Sequence, residues 1–164
     1  MDRVCLCSIL HSAPVKNFSG SSYIFYRSNG NRYNWERSKT ICEQSGYNLV
    51  SIESREEWNF LKQTIQKENT TEYFIGLRKD PTGVWRWLSD NSTVNVSNKG
   101  DWPWATGQPS DEHLTENCAQ IYGNYKYAGR YNDVLCSLSK AKAGFICEFK
   151  GGGGNRPLIH ITRN

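Results

Sequence analysis

At 164 residues the chain is the size of one domain, long enough to bury about two-thirds of the surface its unfolded form exposes. Mean hydropathy is low (−0.69), yet six Trp, nine Tyr and six Phe are present, so the core is built from a few large rings and the body of the chain is not disordered. The net charge of +4 comes from scattered basic residues, and without a dense Lys/Arg run there is no electrostatic footprint for nucleic acid; the charge serves solubility or a mild attraction to anionic glycans.

Residues 1–13 carry one Arg, an apolar run of about seven residues and then small residues, the pattern of a short signal peptide at the lower limit of length. Its removal would take Cys5 and Cys7 with it; retained, the two suit an intermolecular link better than a bond to each other. No stretch approaches the ~20 apolar residues that span a bilayer, so no membrane anchor is expected within this chain. Tyr23-Ile-Phe-Tyr26 predicts an opening strand. Asn34 caps a helix carrying Trp35, Ser38, Ile41 and Cys42 on one side and stopped by Gly46. Leu49-Val-Ser-Ile52 predicts a short strand. Ser54-Arg-Glu-Glu57 then forms a capping box for a second helix with Trp58, Leu61 and Ile65 at helical spacing. The first 67 residues therefore run β-α-β-α.

Tyr73–Leu77 and Val84–Leu88 predict strands joined by the turn Asp80-Pro-Thr-Gly83. From Ser89 to Tyr131 there is little periodicity, and a loop of that length in a compact domain is normally functional. Tyr131–Leu135 and Gly144–Phe149 predict closing strands. The chain divides into an N-terminal segment (1–21), a domain (22–149) and a Gly-rich linker with tail (150–164). Six cysteines (Cys5, Cys7, Cys42, Cys118, Cys136, Cys147) include no CxxC, and sequons stand at Asn17, Asn69, Asn91 and Asn95. Together they point to the secretory route: an extracellular, disulfide-bonded glycoprotein rather than a thiol or metal-thiolate protein.

Several motifs then fall in order: Trp35 with Cys42, Leu49–Ile52, Phe74-Ile-Gly-Leu77, Trp85-Arg-Trp87, Gly107-Gln-Pro-Ser110, Glu116-Asn-Cys118, Tyr131-Asn-Asp133 with Cys136, and Phe145-Ile-Cys-Glu148. In that order they resemble a C-type lectin-like domain over roughly Ser22 to Phe149. The resemblance implies an α+β fold of two helices, small antiparallel sheets and a long irregular loop. It also implies two disulfides, Cys42–Cys147 and Cys118–Cys136. With Ser22 where the longer form of the family has a cysteine, the chain resembles the short form.

The resemblance further implies a calcium site of Gln108, Ser110, Glu116, Asn132 and Asp133, with a cis bond before Pro109 turning its neighbours to one point. All five carry oxygen, the ligand atom a hard cation takes. In sugar-binding members, vicinal hydroxyls of the sugar fill two open positions on the calcium and bond to the ligand side chains. Carried over, Gln108, Ser110, Glu116 and Asn132 hold both ion and sugar, and binding is lost in acid or on chelation. Gln-Pro-Ser departs from the family's Glu-Pro-Asn (mannose) and Gln-Pro-Asp (galactose) types, leaving two carboxylates, Glu116 and Asp133, unless Asp111 turns inward. Around Asp80 no acidic cluster is seen for a second calcium.

Gln108 favours galactose over mannose. So does the loop 122–131, where Tyr125 or Tyr127 can stack on a sugar face or else pack beneath the loop. Trp104 stands where the family places a core ring, and Trp102 is freer. None of His11, His113 or His160 sits in a catalytic motif, and GxSxG, HExxH and P-loop motifs are lacking, so an enzyme is not expected. Two functions remain. One is a calcium-dependent lectin domain for glycans or glycoproteins; the other is a calcium-independent protein-recognition module, one piece of a larger receptor or adhesion protein.

Overall fold

The computed structural model describes residues 13–68, 70–96, 100, 102–123 and 126–151. Cys5, Cys7, most of the signal-like segment, the sequon residue Asn69, Tyr125 and nearly all of the tail lie outside the described residues. The elements are β1 (Val15–Phe18), β2 (Ser21–Tyr26), α1 (Trp35–Gln44), β3 (Asn48–Leu49), α2 (Arg55–Ile65), β4 (Glu72–Lys79), β5 (Trp85–Trp87), β6 (Thr93–Val94), β7 (Cys118–Tyr122), β8 (Tyr131–Val134) and β9 (Ala143–Lys150). The main sheet path runs β1-β2-β9-β4-β5-β6; β3 also pairs with β9, and β7 joins β4 to β8. Among the described strands all pairings are antiparallel except β4 with β9, which links the two halves of the sheet over Glu72–Phe74 and Ala143–Phe145.

Both helices start where the sequence places them. Asn34 Oδ1 accepts from Arg37 N–H at 2.8 Å. At the other end Gly46 (φ +75) lets Tyr47 N–H reach Cys42 O and Gly46 N–H reach Glu43 O, a Schellman stop that favours glycine. Ser54 Oγ accepts from Glu57 N–H at 3.0 Å. The return half of the expected capping box is different: Glu57 Oε2 takes Glu53 N–H at 2.8 Å, and its other oxygen takes the Tyr23 hydroxyl at 2.8 Å. Glu57 sits on the buried face of α2 beside Trp58, Leu61 and Ile65.

The strand expected over 49–52 is shorter, because after Val50 N–H bonds Ile146 O the chain leaves the ladder for the Ser54 cap. The strand before α1 gains an unforeseen partner. Ser19 (φ +47) and Gly20 (φ +85) make a two-residue turn that folds β1 onto β2. β4 is buried on both faces: Tyr73, Ile75 and Leu77 join one core cluster, and Phe74 joins the other with Trp35, Tyr33 and Phe145. Gly76 passes so close to β3 that an added Cβ would lie 2.6 Å from Leu49 O, which explains the glycine of the Phe74–Leu77 motif. Cys42–Cys147 ties α1 to β9 across a separation of 105 residues, and Cys118–Cys136 ties β7 to the chain after β8 across 18.

Glu148, like Glu57, is a buried acid of this frame. It accepts from Ser21 Oγ at 3.0 Å and Ser51 N–H at 3.3 Å. Burial, then the charge of Glu57, pushes its carboxyl up to about 7, with Lys150 and the two donors opposing. The folded value lies above the unfolded one, so the native state binds this proton more tightly, and the contribution is lost as pH rises from about 4.5 to 7. Glu148→Gln keeps the shape without the charge. Relative to wild type it should be more stable at pH 8 than at pH 4 by roughly 2–3 kcal/mol in denaturant titrations; equal effects at both pH values would contradict this.

Candidate functional site

Gln108 is pinned from both sides. Its N–H bonds Ala105 O at 2.9 Å and its O accepts from Gly100 N–H at 2.8 Å. The Gln108–Pro109 bond is cis, and a second cis bond, Trp102–Pro103, lies earlier in the loop. Past Pro109 the chain curls through Asp111 and Leu114, both at positive φ, around a 3-10 turn over Glu112–Leu114.

Three acceptor oxygens, two from the 108–116 segment and one from β8, meet at Ser110. Gln108 Oε1 and Asp133 Oδ1 both accept from Ser110 N–H at 2.9 Å, and Ser110 Oγ donates to Glu116 Oε2 at 3.0 Å. Asp133 Oδ2 also takes Asp111 N–H at 2.6 Å, and Glu116 Oε2 takes Glu112 N–H at 3.0 Å. The two carboxylates thus hold the 108–116 segment in its curl. Asp133 is 1% exposed; β8 fixes its place opposite Ala119 of β7, directly after the disulfide residue Cys118. Asn132 precedes it, half-buried, opposite Gln120.

Asp111 is not the third carboxylate. Its Oδ1 pairs with Lys79 Nζ at 2.7 Å, anchoring the curl to the end of β4. Asp80 is likewise occupied, by Thr82 and by Arg86 Nε at 2.7 Å, which hold its carboxyl well below the usual range. Tyr127 packs on Tyr122, ring centroids 5.9 Å apart, with Lys126 Nζ 5.5 Å from its own ring. Burial raises the Tyr122 phenol, and the charge of Glu72 adds to that. Trp104 is fully buried against Trp85 and Tyr131, whereas Trp102 is 43% exposed.

Two residues near the site were not evident from sequence. Buried Gln120, opposite Asn132 in the register, donates to Glu72, which also meets Lys140 at 3.4 Å. Lys79 is the other. Neither carries a local motif; each acts through partners more than 30 residues away.

As a donor set the five residues offer two carboxylates, two amide carbonyls and one hydroxyl. All are hard oxygen ligands, which fits calcium in kind and, with only two charges, fits a weak site. Among the described residues no three Asp, Glu, His or Cys side chains converge, so any ion here depends on the neutral oxygens.

The description "Lectin C-type domain" belongs to a family model that matches residues 31–149. The chain is a member of the C-type lectin domain family. Rat L-selectin (Rattus norvegicus) is 33% identical over 109 residues, 66% of this chain and 28% of that protein. Bovine L-selectin (Bos taurus) is 32% identical, covering 79% of this chain and 35% of the relative. The chain therefore spans about a third of these relatives. Among solved structures, the mouse scavenger receptor C-type lectin carbohydrate-recognition domain superposes with TM-score 0.65 at 31% identity, covering 85% of this chain and 98% of that one. The cow CD23 carbohydrate-recognition domain, solved in the presence of a GlcNAc2Man3 oligosaccharide, gives 0.65 at 28%, covering 85% and 97%. This C-type lectin domain is a binding domain rather than an enzyme. No helix among its described residues is long and apolar enough to cross a membrane.

Proposed function

We propose that this domain binds glycans of glycoproteins outside the cell through a calcium ion held by Gln108, Ser110, Glu116, Asn132 and Asp133, with galactose-like sugars preferred to mannose-like ones. The observation that carries this is the meeting of Gln108 Oε1, Asp133 Oδ1 and Glu116 Oε2 at Ser110. Its glycan-binding part is supported by the cow CD23 domain solved in the presence of GlcNAc2Man3 and by the SPL-1–GlcNAc complex, 27% identical to this chain. When bound, the ion would supply open positions for two neighbouring sugar hydroxyls. Glu116 would accept a hydrogen bond from one hydroxyl, and the amides of Gln108 and Asn132 would donate to or accept from the other. Asp133, buried and doubly bonded to backbone N–H groups, keeps the curl in register. The Tyr122–Tyr127 pair, with Tyr125 beside it in sequence, gives the loop an aromatic edge for the apolar face of a galactose. The length covered in the selectins favours neighbouring domains in a larger extracellular protein.

The test is a glycan array read with calcium and with chelator. Galactose-terminated glycans should bind only with calcium, and the double variant Gln108→Glu, Ser110→Asn should move preference to mannose by about tenfold, the size of ~1.4 kcal/mol. Absence of chelator-sensitive binding would overturn the reading. A second reading, a calcium-independent protein-recognition module, has one observation in its favour. The two carboxylates already hold three backbone N–H groups and a hydroxyl, enough to order the curl without an ion.

A further inference from the structure

A groove of about 720 Å³ runs between the start of α2 and the β5–β6 pair, apart from all five candidate ligands. Its walls include Arg55, Trp87, Asp90, Thr93, Asn95 and Trp102. Trp102 is the anomaly. The other five tryptophans are 8% exposed or less, while Trp102 is 43% exposed. It is nevertheless held firmly: its ring meets Trp58 edge-on at 5.8 Å, and the Arg55 guanidinium lies 4.3 Å from its centroid. A fixed indole open to a groove with charged and hydroxyl groups around it is what a pyranose ring recognises. The apolar face of the sugar covers the ring, and its hydroxyls find donors and acceptors at the rim.

The same groove contains the attachment point for such a sugar. Asn95 lies just past β6 in the sequon Asn95-Val96-Ser97. Val94 and Val96 pack against the core, so the strand alternation turns Asn95 outward, and it is exposed on the groove wall. We infer that Asn95 carries an N-linked glycan whose first N-acetylglucosamine residues lie back in this groove and cover Trp102. In the attachment step the Asn95 amide nitrogen displaces a lipid diphosphate from C1 of the sugar, forming the N–C bond as the amide gives up a proton. The glycan is thus a built-in cover for an aromatic surface, in a groove lined by none of the five candidate ligands. Asn91, in the neighbouring sequon, opens instead on a second groove with Arg86 and Leu88 and serves as the control.

The experiment uses the full chain secreted from mammalian cells. Peptide mass spectrometry gives occupancy at Asn95 and the rate of Trp102 oxidation by N-bromosuccinimide. Expected is Asn95 occupied, Trp102 oxidation slowed at least fivefold, the protection kept after trimming to a single N-acetylglucosamine, lost in Asn95→Gln, and kept in Asn91→Gln. If Asn95→Gln is not secreted, amidase release of the glycan from the folded protein makes the same comparison. An unoccupied Asn95 overturns the inference. So does an occupied one that leaves Trp102 oxidising as fast as in the released protein, and so does protection that arises only when free saccharide is added.

Discussion

Replacing Cys42 and Cys147 together with alanine should lower stability by about 4–5 kcal/mol. The bond closes a loop of 105 residues, for which loop-closure entropy gives ~4.7 kcal/mol, against about 3 for the 18-residue span of Cys118–Cys136. Both cysteines also belong to the second core cluster with Trp35 and Phe145, so their loss removes packing as well. A domain of this size is commonly stable by only ~5–15 kcal/mol, so the loss takes from about a third to nearly all of that margin. Urea titration of the two double variants side by side measures this. A smaller loss for Cys42/Cys147 than for Cys118/Cys136 would contradict the account.

The second large effect separates two carboxylates that share one site. Asp133 is buried, and both of its oxygens accept backbone N–H groups, at 2.9 and 2.6 Å. Asp133→Asn puts an NH₂ against one of those donors, and hydrogen bonds to a charged group are worth ~1.5–3 kcal/mol each. The variant should lose about 2–4 kcal/mol of stability with or without calcium, and also lose calcium binding. Glu116 sits on the open side of the curl, bonded to a hydroxyl and one N–H. Glu116→Gln should cost under about 1 kcal/mol of stability, since those bonds are solvent-exposed, yet weaken calcium at least a hundredfold. Thermal unfolding in chelator and then with added calcium reads both effects. Equal destabilisation of the two variants in chelator would contradict the assigned division of labour.

Much of this geometry was legible in the sequence, for reasons that differ by element. Asn34 and Ser54 announce helix starts because a side-chain oxygen followed by apolar residues at helical spacing has few other uses. The disulfides and the Gln108–Asp133 set came from the order of motifs, and the structure gathers Gln108, Ser110, Glu116 and Asp133 within hydrogen-bond reach. β7 escaped because Cys118–Ile121 is buried on both faces, so the alternation that marks a half-buried strand is absent. β1 escaped because Val15–Phe18 is short and exposed on alternate residues; the Ser19-Gly20 pair was its available signal. Glu57 read as a cap and proved to be a buried acid, because its face of α2 is set by β2 through Tyr23, not by local sequence. Asp111 offered itself as a ligand, yet Lys79, 32 residues earlier, holds it.

Isothermal calorimetry of the wild-type domain with calcium tests most directly whether the oxygen set around Ser110 holds the ion. One ion should bind with Kd between about 10⁻⁴ and 10⁻³ M, the range of weakly charged extracellular sites, and the heat should vanish in Glu116→Gln. No heat and no thermal stabilisation at ~10 mM calcium, some tenfold above that range, would contradict the account and leave the ion-free hydrogen-bond network as the functional state of this loop.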